Sequence, residues 1–182
     1  MMAARSGFLR GRGSPPPQPG RSVIEPDELV ALLRTLARLR GAGNTALSEL
    51  ADAVALDDER LLALVRALET LGLLDVLEGR LRVTAMGRRF AQAHEDERKR
   101  IFAERLKSRV LVAAYVLGAL QSHPERRLAL ALLERELRDE FAIEDAEASL
   151  HQAIAWGRYA RLLSYDDATG LVSLEPADDA AG

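Results

Sequence analysis

Leucines at helical spacing carry the first reading of the chain. From Pro26 onward, Leu29, Leu32, Leu33, Leu36 and Leu39 fall on one stripe. Asp27 and Glu28 stand where a helix N-terminus favours negative charge, and Gly41 stops the pattern. A second stripe, Leu47, Leu50, Ala51 and Val54, predicts another helix with Asn44 or Thr45 as its cap. A third, Leu61, Leu64, Val65, Leu68 and Leu71, follows Asp57 as cap and closes at Gly72. The period then changes to two. Residues 74–77 and 81–84 read as strands around Glu78-Gly79-Arg80, where glycine supplies a positive φ. Thr84 caps a further helix through Arg88, Arg89 and Phe90, which leads into a charged helix over about 96–107.

The pattern then repeats. Residues 108–121 form an unusually apolar helix ended by His123-Pro124, followed by helices over 128–140 and from Glu144 to about Ala160. Residues 162–165 and 171–174 flank Asp166-Asp167-Ala168-Thr169-Gly170 as a second hairpin. First helices start at 27 and 108, third helices at 57 and 144, and hairpins at 73 and 162. The expected fold is therefore mainly α. Two tandem winged-helix-like units, each of three helices and a short β-hairpin, pack around the central apolar helix. In this division residues 25–93 are the first unit, 94–107 a charged connecting helix and 108–175 the second unit. Residues 1–24, rich in Arg, Pro and Gly, read as a disordered linker, and 176–182 as an acidic disordered tail.

Composition agrees with helix: Ala and Leu far outnumber Val and Ile in this 182-residue chain. Cysteine is absent, which excludes disulfide scaffolds, thiol catalysis and Cys-based metal sites. The longest apolar run, 110–120, is about half of the roughly 20 residues a membrane span needs, so no direct membrane insertion is expected. Net charge is −3, but the first 24 residues hold four arginines and no acid. The remaining body is therefore strongly acidic, a poor partner for nucleic acid.

Candidate chemistry is sparse. Lysine occurs only at 99 and 107, neither behind a glycine-rich loop, so a phosphate-cradling nucleotide site is missing and no ATP hydrolysis is expected. His94, His123 and His151 are too far apart for a local metal pair, and no serine nucleophile elbow exists. We assign no catalytic, metal or cofactor-binding residue, and expect no enzyme. Under a DNA-binding reading the candidates are Arg60 and Arg66 on the third helix and Arg80 and Arg82 on the first wing. They stand among Asp57, Asp58, Glu59, Glu69, Asp75 and Glu78, which disfavours nucleic acid. Glu95–Lys99 and Asp96–Arg100 have the spacing of ion pairs along a solvated helix. Trp156, Arg158 and Tyr159 are candidate partner-binding residues, of the types that dominate interfaces. Their first expected role is structural. Trp156 and Tyr159 pin the last helix to the second wing, Arg158 pairs with an acid, and Gly157 permits a close backbone approach.

Four segments then resemble one family. They are Leu68-Glu69-Thr70-Leu71-Gly72-Leu73, Thr84-Ala85-Met86-Gly87-Arg88-Arg89-Phe90-Ala91, Asp96-Glu97-Arg98-Lys99, and the run Ala153-Ile154-Ala155-Trp156-Gly157-Arg158-Tyr159-Ala160 ending in Tyr165-Asp166-Asp167. Together they resemble the C-terminal AAA-associated domain found behind the ATPase of nitrate/sulfonate/bicarbonate-type ABC transporters. The likeness covers about 27–175, and residues 2–24 resemble the linker that follows the ATPase in that family. The ATPase itself has no counterpart here, so none of its ATP-binding residues can be carried over. The resemblance implies a non-enzymatic accessory or regulatory domain that acts by protein–protein interaction with an ABC importer ATPase subunit or an equivalent partner. It implies a cytoplasmic location, peripheral to the inner membrane through a transporter complex. A small winged-helix DNA-binding regulator is the alternative. An in-frame phosphate loop encoded upstream would make Met1 an internal position of a longer ATPase.

Overall fold

The computed structural model describes residues 23–39, 44–141 and 145–176. Helix α1 (Pro26–Arg38) starts with proline at its first turn, and the Glu28 carboxylate accepts from the Glu25 N–H at 2.9 Å. Its Leu29, Leu32, Leu33 and Leu36 are all buried, as their spacing predicts. The predicted stop at Gly41 lies outside the described residues. Next come β1 (Thr45–Ala46), α2 (Leu47–Ala53) and α3 (Asp58–Thr70). Asp57 caps α3 by accepting from the Arg60 N–H at 2.8 Å. Strands β2 (Leu74–Leu77) and β3 (Arg80–Val83) then pair antiparallel, with Leu77 opposite Arg80. The connection is thus two residues, not three. Glu78 and Gly79 both have positive φ, the tight turn that matches strand twist.

Two further helices follow. Thr84 caps α4 (Ala85–Gln92) by accepting from the Gly87 N–H at 2.9 Å, and α5 (Glu95–Arg109) comes after it. The second unit consists of α6 (Leu111–Ser122), β4 (Arg127–Ala129), α7 (Leu130–Phe141), α8 (Ala146–Tyr159), β5 (Leu163–Asp166) and β6 (Leu171–Leu174). Among the described residues the molecule is mainly helical, with two small antiparallel sheets ordered β1-β3-β2 and β4-β6-β5.

Strands β1 and β4 escaped the sequence pattern. Each is so short that no alternation can show, and each exists only because the hairpin offers an edge. Thr45, expected as a helix cap, is instead a buried strand residue opposite Leu81.

The repeat is visible in the backbone hydrogen bonds. At the end of α3, Gly72 N donates to Glu69 O at 2.8 Å and Leu73 N to Leu68 O at 2.9 Å. At the end of α8, Arg161 N donates to Arg158 O at 3.1 Å and Leu162 N to Gly157 O at 2.9 Å. In the sheets, Leu47 N donates to Gly79 O and Leu130 N to Gly170 O, so each hairpin turn receives the first residue of a helix, α2 or α7. The copies differ at one costly place. Gly72 takes the left-handed position in the first unit, but Arg161 takes it in the second with φ 54°.

Helix α5, read from sequence as a charged connecting helix, buries Ile101, Phe102 and Leu106 in the larger core cluster. Helix α6, expected to sit between the units, contributes to both core clusters. It buries Ala113 in one cluster and Val116, Leu117 and Leu120 in the other, but leaves Leu111 65% exposed. Helix α8 shares the central role. Ala153, Trp156 and Ala160 enter the first cluster, while Ala146, Leu150 and Ile154 enter the second.

Candidate functional site

The two units meet along α1, the α4–α5 corner and the end of α8. An aromatic group fills this seam. The Phe102 ring lies 5.8 Å from Phe90, 5.6 Å from Trp156 and 5.3 Å from Tyr159, the last two edge-on. Trp156 is therefore buried against the first unit, not pinned to the second wing as expected. Its indole Nε1 donates to Ile24 O at 2.7 Å. Gln152 completes a clamp: its Oε1 accepts from Ile24 N at 2.8 Å and its Nε2 donates to Ile24 O at 3.1 Å. Arg60 donates to Val23 O at 3.0 Å from the other side. Val23 and Ile24, read from sequence as disordered linker, are thus fastened at the junction of the units. Local composition did not reveal this, because the partners come from α3 and α8.

Gly157 is a close contact, but with a side chain. A Cβ there would stand 2.7 Å from Leu163 Cγ. Gly157→Val is expected to cost about 1–3 kcal/mol by overpacking. Trp156→Phe is expected to cost only about 1 kcal/mol, since Gln152 still satisfies the Ile24 carbonyl. Urea denaturation of both variants checks the order, and a Gly157→Val protein as stable as wild type would refute it.

Above the aromatic group lies a cleft of about 880 Å³ whose walls include Arg34, Arg98, Lys99, Arg158, Tyr159 and Arg161. Of the three candidate partner-binding residues, Arg158 and Tyr159 line it, while Trp156 supports it from below. Arg158 is exposed, and no carboxylate among the described residues forms the expected ion pair with it. Arg34 donates through Nε to Ala91 O at 3.1 Å, and Arg98 through Nη2 to Ala93 O at 2.9 Å. Lys99 pairs with Glu95 at 2.5 Å and lies 5.8 Å over the Tyr159 ring. That ion pair holds the exposed Glu95 carboxyl below its ordinary range. Asp96, predicted to pair with Arg100, faces Arg161 at 3.6 Å. Burial pushes the Tyr159 phenol up, so it stays a neutral hydroxyl near neutral pH. Arg98 Nε and Tyr159 Oη are both buried, and the Arg98 guanidinium lies against the Tyr159 phenol, offsetting part of the effect of burial. Other atoms of both residues line the cleft, together with the carboxylates of Asp27 and Glu95.

The sequence pattern marks Arg98-Lys99-Arg100 as a basic run on a solvated helix, with an acidic or phosphate partner as the alternative, and does not mark Arg34 or Arg161. Their positions on α1, on α5 and just beyond α8 converge only through packing.

The four DNA-binding candidates fare differently. Arg60 is turned inward, bonded to Glu28 and Val23 O. Arg82 pairs with Asp75 at 2.8 Å, and Arg80 donates to Asn44 O at 3.2 Å. Arg66 alone of the four stands exposed with neither a hydrogen bond nor an ion pair from its side chain among the described residues. Among the described residues, no three His, Asp or Glu side chains gather to hold a metal, and no helix is long and apolar enough to cross a membrane.

The family described as the C-terminal AAA-associated domain matches residues 48–166. The chain belongs to that family. As an AAA-associated domain it is an accessory domain linked to AAA ATPases. The match runs from α2 to the end of β5 and so takes in α4, α5 and α8 of the seam but not α1. No curated protein and no solved structure matches the chain.

Proposed function

We propose that this AAA-associated domain is a non-enzymatic, cytoplasmic module that docks on the ATPase of a nitrate/sulfonate-type ABC importer and regulates it through protein contacts. Family membership supports a place beside an ATPase. The observation that favours a protein partner over DNA is the state of the third helix and its wing. Three of the four arginines a DNA reader would use are held within the molecule by Glu28, Asp75 and the Asn44 carbonyl. A groove-reading surface needs such cations free for phosphates and base edges.

Docking would act on the seam. Whatever segment precedes Val23 enters the fold where Gln152, Trp156 and Arg60 hold its backbone. Movement of that segment against an ATPase would reach both units at once. The test is addition of the purified chain to the ATPase encoded beside it. A complex in gel filtration and a changed ATP hydrolysis rate are expected, with no hydrolysis by the chain alone. Failure to bind the ATPase, together with a salt-sensitive shift of upstream DNA, would support the regulator reading instead.

A further inference from the structure

We propose that the exposed apolar face at the start of α3 is covered by this chain's own arginine-rich N-terminal segment, with Phe8 and Leu9 against Leu56 and Leu62. Three observations converge on it. First, the surface lacks a partner. Four large hydrophobic side chains are exposed among the described residues, and two of them, Leu56 and Leu62, bracket the first turn of α3. A helix face turned to water normally carries polar residues. The second unit obeys that rule. The helix-ending bonds, Leu73 N to Leu68 O and Leu162 N to Gly157 O, align Leu62 with the exposed His151.

Second, the segment joins the fold at this helix. Arg60, which lies between the two leucines in sequence, holds Val23 O at 3.0 Å. Leu9 stands 14 residues before Val23, a reach of up to about 45 Å, whereas α3 with its 13 residues is about 20 Å long. Third, charge chooses the occupant. Asp57, Asp58 and Glu59 are exposed between Leu56 and Leu62, and none of them forms an ion pair among the described residues. Residues 1–22 hold Arg5, Arg10, Arg12 and Arg21 and no acid, and Arg5 and Arg10 flank the Phe8-Leu9 pair. The other two exposed leucines suit this segment less. Leu111 follows Lys107 and Arg109, and Leu77 stands on a hairpin where Arg80 and Arg82 already balance Asp75 and Glu78. Arg66, one turn beyond Leu62, sets the far limit of the acidic stretch.

An exposed ion pair contributes little by itself. Here the segment is tethered at Arg60, so its effective concentration is high and weak contacts are populated. The face that a winged-helix DNA reader would present is thereby taken by the chain's own arginines. This contact is internal to the chain and stands apart from docking on the ATPase.

Because the chain has no cysteine, Ser6→Cys places one nitroxide label on the full protein. At low salt the amide signals of residues 56–66 should be lost and should return when the label is reduced. Those of Leu77 and Leu111 should persist throughout. Leu62→Ser should restore the α3 signals, and so should Phe8→Ser combined with Leu9→Ser, which alters nothing in the described fold. High salt should weaken the effect, since exposed charges are screened. Broadening that is absent, spread evenly or centred on another face overturns the proposal. So does an effect that survives both sets of substitutions or ignores salt. A mixture of spin-labelled and isotope-labelled chains should show no loss, and a loss there would mean contact between copies and would also overturn it.

Discussion

Gly87→Ala is expected to destabilise the protein by about 3 kcal/mol or more, near the upper end for a change of one methyl group. A Cβ at this position would stand 2.0 Å from the Leu73 carbonyl oxygen and 2.9 Å from its carbon. The obstacle is backbone, and it cannot turn away. Leu73 O accepts from Thr84 N at 3.1 Å, while the Thr84 hydroxyl both donates to Gly72 O and accepts from Gly87 N. Moving α4 outward to make room breaks that set together. Gly118→Ala is the control, since nothing lies within 4 Å of its would-be Cβ and helix propensity alone should stabilise it by about 1 kcal/mol. Urea midpoints of the two variants should move in opposite directions. A Gly87→Ala protein within experimental error of wild type would show that α4 does not rest on the Leu73 carbonyl.

Phe102→Ala should cost about 3–5 kcal/mol and also uncouple the units. Phe102 is fully buried and is the one ring that meets Phe90 of α4 and both Trp156 and Tyr159 of α8. Its loss removes the wedge between the first core cluster and the helix that carries the second. Trp156 fluorescence reports the seam, and far-UV circular dichroism reports the helices. In wild type the two should unfold together, and in Phe102→Ala the fluorescence transition should come first. Coincident transitions in the variant would mean that α6, with Ala113 in one cluster and Val116 in the other, couples the units by itself.

The sequence alone determined the helices, the hairpins and the family. Leucine spacing marked the buried faces of α1 and α3, because burying a stripe every 3.6 residues leaves a period that needs no partner to be read. Caps at Asp57 and Thr84 were legible for the same reason, since a cap bonds to backbone three residues away. The run around Trp156-Gly157-Arg158-Tyr159 carried the family resemblance that the match over residues 48–166 bears out.

Tertiary structure decided everything that depends on which elements meet. Helix α5 looked solvated because its charges outnumber its apolar residues, but the three it buries include the central aromatic ring of the seam. Asp96 chose Arg161, 65 positions away, over the neighbour with ideal helical spacing. Trp156 turned to α5 and the Ile24 carbonyl rather than to its own wing. The cleft joins side chains from α1, α5 and the end of α8, and no local pattern ties those positions together. Local hydrogen bonds and hydrophobic period are written over a few residues, whereas a site assembled across the seam is set by how packed helices place their ends.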